Sequence, residues 1–331
     1  MRTRGSGFGC RVSGIEKTWP QVVAIVGPTA SGKTSLAIQL AERLETEIIS
    51  ADSMQFYRGM EIGAGSPTPE ELSRVKHHFV GFLQPSEDFS AGTFEELARE
   101  VVARINARGK IAVVVGGSGL YVSALIDGLF RGPGKDESIR RRLQDEAEEL
   151  GVPGLYARLQ EVDPGYARII GPNDLRRIVR ALEVFELAGT PLSVLHREHR
   201  EATTSLDAVQ IALDYPRDVL YARINARVDR MIDQGLVEEV RSLIARGYAE
   251  HIERLRSLGY REIAAHLRGE CTLEEATELM KQNTRRYAKR QLTWFRGDPR
   301  IHWLPVAEDT TEAQLVDRAM QLIDSCANAI T

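Results

Sequence analysis

The octapeptide Gly27-Pro28-Thr29-Ala30-Ser31-Gly32-Lys33-Thr34 has the residue types and spacing of a phosphate cradle, G-x-x-x-x-G-K-T. Its glycines let the backbone wrap so that amides point inward. Lys33 supplies a mobile positive charge, and the Thr34 hydroxyl can ligate Mg²⁺ at a helix N-terminus. Such a loop takes a di- or triphosphate. A second candidate is Asp52, in Ala51-Asp52-Ser53-Met54-Gln55. A carboxylate there can orient a metal-bound water or accept a proton from an attacking nucleophile; equally, it can cap the turn in which it sits.

The elements that must position these residues are written around them. Val22-Val23-Ala24-Ile25-Val26 is an apolar strand running into the loop, and Leu36, Leu40 and Leu44 recur behind it at i, i+4 and i+8. That stripe predicts an amphipathic helix covering a sheet. Glu47-Ile48-Ile49-Ser50 predicts a second strand and Ile111-Ala112-Val113-Val114-Val115 a third, each ending where polar or glycine residues begin. Ligands of parallel sheets gather beyond the strand C-termini, so Asp52 to Gln55 and Gly116 to Gly119 are expected on the phosphate-loop side. An NTPase commonly ends a buried strand there with an acid that helps hold Mg²⁺. Gly116-Gly117 offer no carboxylate, although they let a backbone approach a ligand closely.

Beyond Gly128 the texture changes. Gly132-Pro133-Gly134 breaks the chain, and from about 137 to 200 the pattern is helical and charged, without convincing strands. This reads as an inserted helical subdomain, hinged at the glycine-proline segment and near Thr203-Thr204-Ser205. Ala208 to Leu213 resumes a strand, Ile301 to Leu304 predicts the last one, and Leu315 to Ile323 a closing amphipathic helix. The expected division is a flexible N-terminal extension (1–20), an α/β core in two parts (21–130 and 206–331) and the insertion (131–205).

The 331 residues, 43% hydrophobic and 27% charged, describe a globular chain able to bury a sizeable core. There is no apolar run of about 18 residues, so no membrane partner is expected, and the first twenty residues lack the apolar segment of a secretory signal. Cys10, Cys271 and Cys326 stand at no metal-ligand or redox spacing, which predicts a reducing cytoplasm and no structural zinc. The formal net charge of −4 hides a local basic surface: Lys281, Arg285, Arg286, Lys289, Arg290 and Arg296 follow one another without an intervening acid.

Taken in order, these motifs resemble bacterial tRNA dimethylallyltransferases. The resemblance is carried by the phosphate loop, by Ile49-Ser50-Ala51-Asp52-Ser53-Met54-Gln55 with Tyr57-Arg58-Gly59-Met60, and by Val115-Gly116-Gly117-Ser118-Gly119-Leu120-Tyr121. It continues through Asn173-Asp174, Arg176-Arg177, Arg180-Ala181-Leu182-Glu183, Gly259-Tyr260-Arg261-Glu262 and Thr284 to Arg296, spanning about residues 21 to 306. It implies a P-loop NTPase-like parallel sheet with covering helices and an inserted helical subdomain.

The implied reaction transfers a dimethylallyl group from dimethylallyl diphosphate to N6 of the adenosine next to the tRNA anticodon. By this resemblance Gly27 to Thr34 bind the diphosphate, Thr34 holds Mg²⁺, Thr29 lies near the breaking bond and Arg227 adds a further cation. Asp52 is then the general base or hydrogen-bond acceptor for the amine, whose lone pair is delocalised. The adenine must leave its stack to reach a buried donor, and Arg and Lys hold RNA phosphates.

The implied tRNA contacts are Asp52, Ser53, Met54 and Gln55; Ser118; Arg140; Arg176, Arg177, Ile178, Val179 and Arg180; Arg256, Ser257, Leu258, Gly259, Tyr260 and Arg261; and Lys289, Arg290, Gln291, Leu292, Thr293, Trp294, Phe295 and Arg296. Taken alone, Arg140-Arg141-Arg142 read as a solvated helix face paired with Asp145 and Glu146, and Trp294 and Phe295 as core. A monomer is expected.

This chain departs from the family pattern at Ala64-Gly65-Ser66-Pro67, where a lysine is lost, at Ser118 in place of threonine, and at Ser257-Leu258. It has no C-terminal Cys/His finger of the kind seen in eukaryotic relatives. Two rival activities share the loop. An isopentenyltransferase acting on free AMP, ADP or ATP would have little use for the insertion or the basic segment, and a P-loop small-molecule kinase is disfavoured by Gly116-Gly117. A non-catalytic RNA-binding module would not need Lys33, Thr34 and Asp52 at one sheet edge.

Overall fold

Phe8–Val12 (β1) and Ile15–Trp19 (β2) pair as an antiparallel two-stranded sheet in the computed structural model, which describes residues 8–12, 15–202, 204–255 and 257–328. Paired strands therefore occupy these positions of the expected extension; residues 1–7, 13 and 14 lie outside the described residues. The chain then enters a six-stranded parallel sheet through Val22–Val26 (β3), followed by Lys33–Arg43 (α1) and Ile48–Ser50 (β4). Two short helices, Glu61–Ala64 (α2) and Pro69–Arg74 (α3), precede the edge strand His77–His78 (β5), which two residues of sequence gave no pattern to reveal. Ala91–Asn106 (α4), Ala112–Gly116 (β6) and Gly119–Asp127 (α5) complete this part.

The described chain divides into two compact units, residues 127–205 and the rest. The smaller unit starts four residues before the expected 131 (131 − 127) and is wholly helical: Glu137–Val162 (α6), Pro164–Ala167 (α7), Leu175–Ala188 (α8) and Leu192–Ala202 (α9). Gly151, at φ 73°, breaks α6 into two helical halves, with Pro153 opening the second. Leu143, Leu155 and Leu159 of α6 pack against Ile178, Ala181 and Leu182 of α8, giving this unit its own core.

The larger unit continues with Ala208–Asp214 (β7), Arg217–Asp233 (α10), Leu236–Ala245 (α11), Ala249–Leu255 (α12), Tyr260–Leu267 (α13), Leu273–Arg296 (α14), Ile301–Pro305 (β8) and Glu312–Asn328 (α15). Strand order is β5-β4-β6-β3-β7-β8, with every described pairing parallel. Successive side chains of a strand point to opposite faces. Val23 and Ile25 accordingly pack with Leu36, Leu40, Val316 and Ile323 of α1 and α15, whereas Val22, Ala24 and Val26 pack with the cluster containing Phe94, Val102 and Leu125. Burial on both faces is why these strands read as unbroken apolar runs. The chain leaves β3 toward β4 and returns through β6 before crossing to β7. The loop after β3 thus lies at the switch point where ligands of such sheets bind.

Candidate active site

The phosphate loop turns through three left-handed residues, Gly27 (φ 131°), Ala30 (φ 63°) and Gly32 (φ 90°), before α1 begins at Lys33. Ala30 bears a side chain in a conformation that favours glycine, and strain of this kind persists only where surroundings over-determine it. Here the Ala30 methyl is buried against Leu220, Ile224 and Ala288, and its carbonyl accepts from Arg223 Nε at 2.9 Å. Arg223 also lies over the Tyr215 ring, 4.8 Å from its centroid. Sequence reasoning passed over Arg223, although its i,i+4 spacing from Arg227 places both on one face of α10.

Thr29, Lys33, Thr34, Asp52 and Arg227 line one cavity of about 310 Å³ within the larger unit. Lys33 Nζ donates to the Pro28 carbonyl at 3.0 Å. Burial lowers the Lys33 pKa from 10.5 to about 8, with Asp52 favouring its charge and Arg227 opposing it. Burial likewise lowers Arg227, again offset by Asp52. Among the described residues Asp52 is the sole carboxylate lining the cavity. Its Oδ1 also accepts from the Met54 amide at 3.1 Å, so Asp52 caps its turn while lining the cavity.

Residues 63–65 form another wall of the cavity. Gly65, at φ 58°, leaves room for Arg227: a Cβ there would lie 1.6 Å from Arg227 Nη2. The segment 62–65 is held from behind by the Glu239 carboxylate, which accepts from the Ile62 amide at 2.8 Å, the Gly63 amide at 3.0 Å and the Tyr260 hydroxyl at 2.7 Å. Burial raises the pKa of Glu239, and these hydrogen bonds oppose the shift. Val228, Met231, Leu255, Leu258 and Met280 add an apolar side to the cavity. No motif marked Val228, Met231, Leu255 or Met280, since each reads as ordinary core, whereas Leu258 was expected among the RNA contacts.

Helix α14 closes the site. Tyr287, unnoticed in the sequence, lines the cavity; burial and the Asp52 charge push its hydroxyl up to about 12, against hydrogen bonds with Ser118 and Gln291. Ser118 Oγ accepts from the Ser53 amide at 3.2 Å and donates to Ser53 Oγ at 3.3 Å. Lys289, Arg290, Thr293, Trp294 and Arg296 are exposed, with Arg290 also reaching the cavity and Trp294 45% exposed. Leu292 is half-buried beside Ala288.

Several expected RNA contacts have other uses. Phe295 and Tyr260 are buried in the core, as are Ile178 and Val179 in the helical unit, so their side chains present nothing to RNA. Gln55 is buried, accepting from Ser50 Oγ at 2.8 Å and donating to the Gly65 carbonyl at 3.2 Å. Gln291 is similarly engaged at both ends of its amide. Ser257 is buried, Leu258 lines the cavity, and the Gly259 amide donates to Glu262. Arg261 is exposed and pairs with Glu253 at 3.5 Å, and Arg256 lies outside the described residues.

In the helical unit, Arg140 makes two bonds to Glu183, at 2.8 and 3.0 Å, and Arg180 a third at 2.6 Å. Burial pushes the fully buried Glu183 carboxyl up, but these hydrogen bonds hold it below the usual range. For Arg140 and Arg142 the expected pairing with Asp145 and Glu146 is replaced by pairs between helices, Arg142 meeting Glu186. Helix packing outweighs a weak surface i,i+4 pair here. Arg176 and Arg177 remain exposed.

Fold and site together define a phosphate-loop α/β protein that sets half-buried cations and the Asp52 carboxylate around its loop. The IPP transferase family model matches residues 55–298, and the chain belongs to that family. It is 50% identical over 289 residues to the tRNA dimethylallyltransferase of Geobacter metallireducens, covering 87% of this chain and 93% of that protein. It is 49% identical over 287 residues to that of Syntrophobacter fumaroxidans, covering 87% and 84%. Among solved structures it is similar to the tRNA isopentenylpyrophosphate transferase of Bacillus halodurans, with TM-score 0.66 and 40% identity over 93% of this chain and 98% of that one. A eukaryotic dimethylallyltransferase acting on tRNA matches with TM-score 0.72 and 29% identity, covering 90% and 77%. No helix of the described residues is long and apolar enough to cross a membrane.

Proposed function

We propose that this chain transfers the dimethylallyl group of dimethylallyl diphosphate to N6 of the tRNA adenosine 3′-adjacent to the anticodon, releasing diphosphate. One observation carries the reading: phosphate loop, the Asp52 carboxylate, half-buried cations and an apolar side share a single cavity that α14 borders with exposed basic residues. An allylic diphosphate ionises once its leaving group is neutralised, and Lys33, Arg227 and loop groups supply fixed positive potential for that. Asp52 accepts the proton that the amine loses as the C–N bond forms. Thr29 lines the same cavity, where its hydroxyl would act at the bond that breaks.

A magnesium ion fits this site. Thr34 and Asp52 bring hard oxygen donors to one cavity, and Ser31 Oγ, within the loop, is buried without a protein partner. Among the described residues no group of three or more His, Cys, Asp or Glu side chains could hold a metal ion, so Thr34 would hold it together with diphosphate and water oxygens. When bound, the ion neutralises the leaving diphosphate.

Incubation with labelled dimethylallyl diphosphate and, separately, unmodified anticodon stem-loop RNA, AMP or ATP tests the reading. Label in the RNA alone is expected. Label in a free nucleotide would transfer the function to the nucleotide-prenylating rival, and ATP consumed without prenyl transfer would leave a kinase.

A further inference from the structure

Gln291 sits in the segment from Lys289 to Arg296, whose neighbours offer basic and aromatic groups to solvent, yet its own side chain is buried. Oε1 accepts from the Thr29 amide at 2.9 Å, and Nε2 donates to the Gly117 carbonyl at 2.9 Å. We infer that Gln291 is a positioning residue for the transfer reaction: its amide ties the phosphate loop at Thr29 to the end of β6 at Gly117, setting where the leaving diphosphate lies relative to Asp52. The inference rests on the loop being the diphosphate site.

Three observations carry it. A primary amide is the side-chain group that can accept from one backbone N–H and donate to one backbone C=O from the same end. A carboxylate would turn a lone pair toward the Gly117 oxygen, and asparagine is a methylene too short. Second, Gly117 is shaped for this contact, since a Cβ there would stand 2.3 Å from Gln291 Nε2. Gly116 has its own reason, because a Cβ would meet the Ala51 carbonyl oxygen at 2.2 Å, next to Asp52. The glycine pair thus admits neighbouring parts of the protein at the point where an NTPase would carry an acid. Third, Tyr287 lies one turn before Gln291 on α14 and lines the same cavity, so one side of the helix brings both polar groups to the site. With its amide engaged by Gln291, Thr29 offers the diphosphate its hydroxyl and not its N–H.

The full chain carrying Gln291→Met, which retains length without either hydrogen bond, is compared with Gly117→Ala, which keeps Gln291 but fills its slot. Three quantities are read: the KM for dimethylallyl diphosphate and kcat at saturation, the Kd of inorganic diphosphate by calorimetry, and the Kd of anticodon stem-loop RNA. Misplacement of about 1 Å near a reacting centre costs on the order of 100-fold. Both variants are therefore expected to lose roughly 10- to 100-fold in kcat/KM, with kcat itself reduced, while the RNA Kd stays within about twofold.

A raised RNA Kd with unchanged kcat and diphosphate affinity would make Gln291 an RNA contact and overturn the inference. Wild-type rates in either folded variant would overturn it as well, so one soluble variant suffices. Should the wild type transfer no label to RNA, the transferase reading fails separately, and diphosphate calorimetry still decides whether Gln291 orders the loop.

Discussion

Raising the pH from 7 to 9 is expected to strip the phosphate loop of its principal cation before any ligand arrives. Lys33 has a pKa of about 8 in the free site, lowered from 10.5 mainly by burial, so the cation is lost as pH rises through about 8. Roughly nine-tenths of the molecules carry the charge at pH 7 and about one-tenth at pH 9. If the diphosphate binds the charged form, its apparent Kd rises about 10-fold over this interval, and binding above pH 8 takes up close to one proton. Tyr287 stays neutral throughout, its hydroxyl being held up to about 12. Calorimetry with dimethylallyl diphosphate at fixed free magnesium, repeated in buffers of different ionisation enthalpy, reads both affinity and proton uptake. Lys33→Met should bind weakly at every pH and lose the slope. A flat wild-type curve between pH 7 and 9, or the same slope in Lys33→Met, would refute this electrostatic account of the loop.

Asp52→Asn preserves a side-chain oxygen for the Met54 amide while removing the base. We expect kcat to fall about 10²- to 10⁴-fold with the RNA Kd unchanged, a split that single-turnover rates and filter binding will resolve. Arg290→Ala removes an exposed cation at the cavity rim, and RNA binding should weaken while its log–log salt slope drops by about 0.7; titrations at several salt concentrations check this. Tyr260→Phe deletes the 2.7 Å bond to the half-buried Glu239 carboxylate. That should cost about 1.5–3 kcal/mol in urea unfolding, and an unchanged midpoint would show that this bond does not brace segment 62–65.

The phosphate loop, the strands around it and the helical insertion were legible because each is encoded locally. Continuous apolar runs mark Val22–Val26 and Ala112–Gly116 as strands buried on both faces, and the glycine spacing of 27–34 has a backbone meaning wherever it occurs. The two-residue β5 has no periodicity to read, and the pairing of β1 with β2 ran against a glycine- and arginine-rich composition. Asp52 was visible from its place after a strand, and Arg227 through resemblance alone.

What the tertiary structure alone decided is which way each chemically capable side chain is spent. Gln291 and Phe295 share a segment with Arg290 and Trp294, yet the first pair faces inward and the second outward. Gln291 meets Thr29 and Gly117 across separations of 262 and 174 residues. Arg140 finds its partner on α8 and not along its own helix. Arg223, Tyr287 and Glu239 acquire their roles only when α10, α11 and α14 are packed around the loop. Local sequence determines how a segment folds; the partner of a buried polar group is chosen by whichever distant segment the packing brings within about 3 Å.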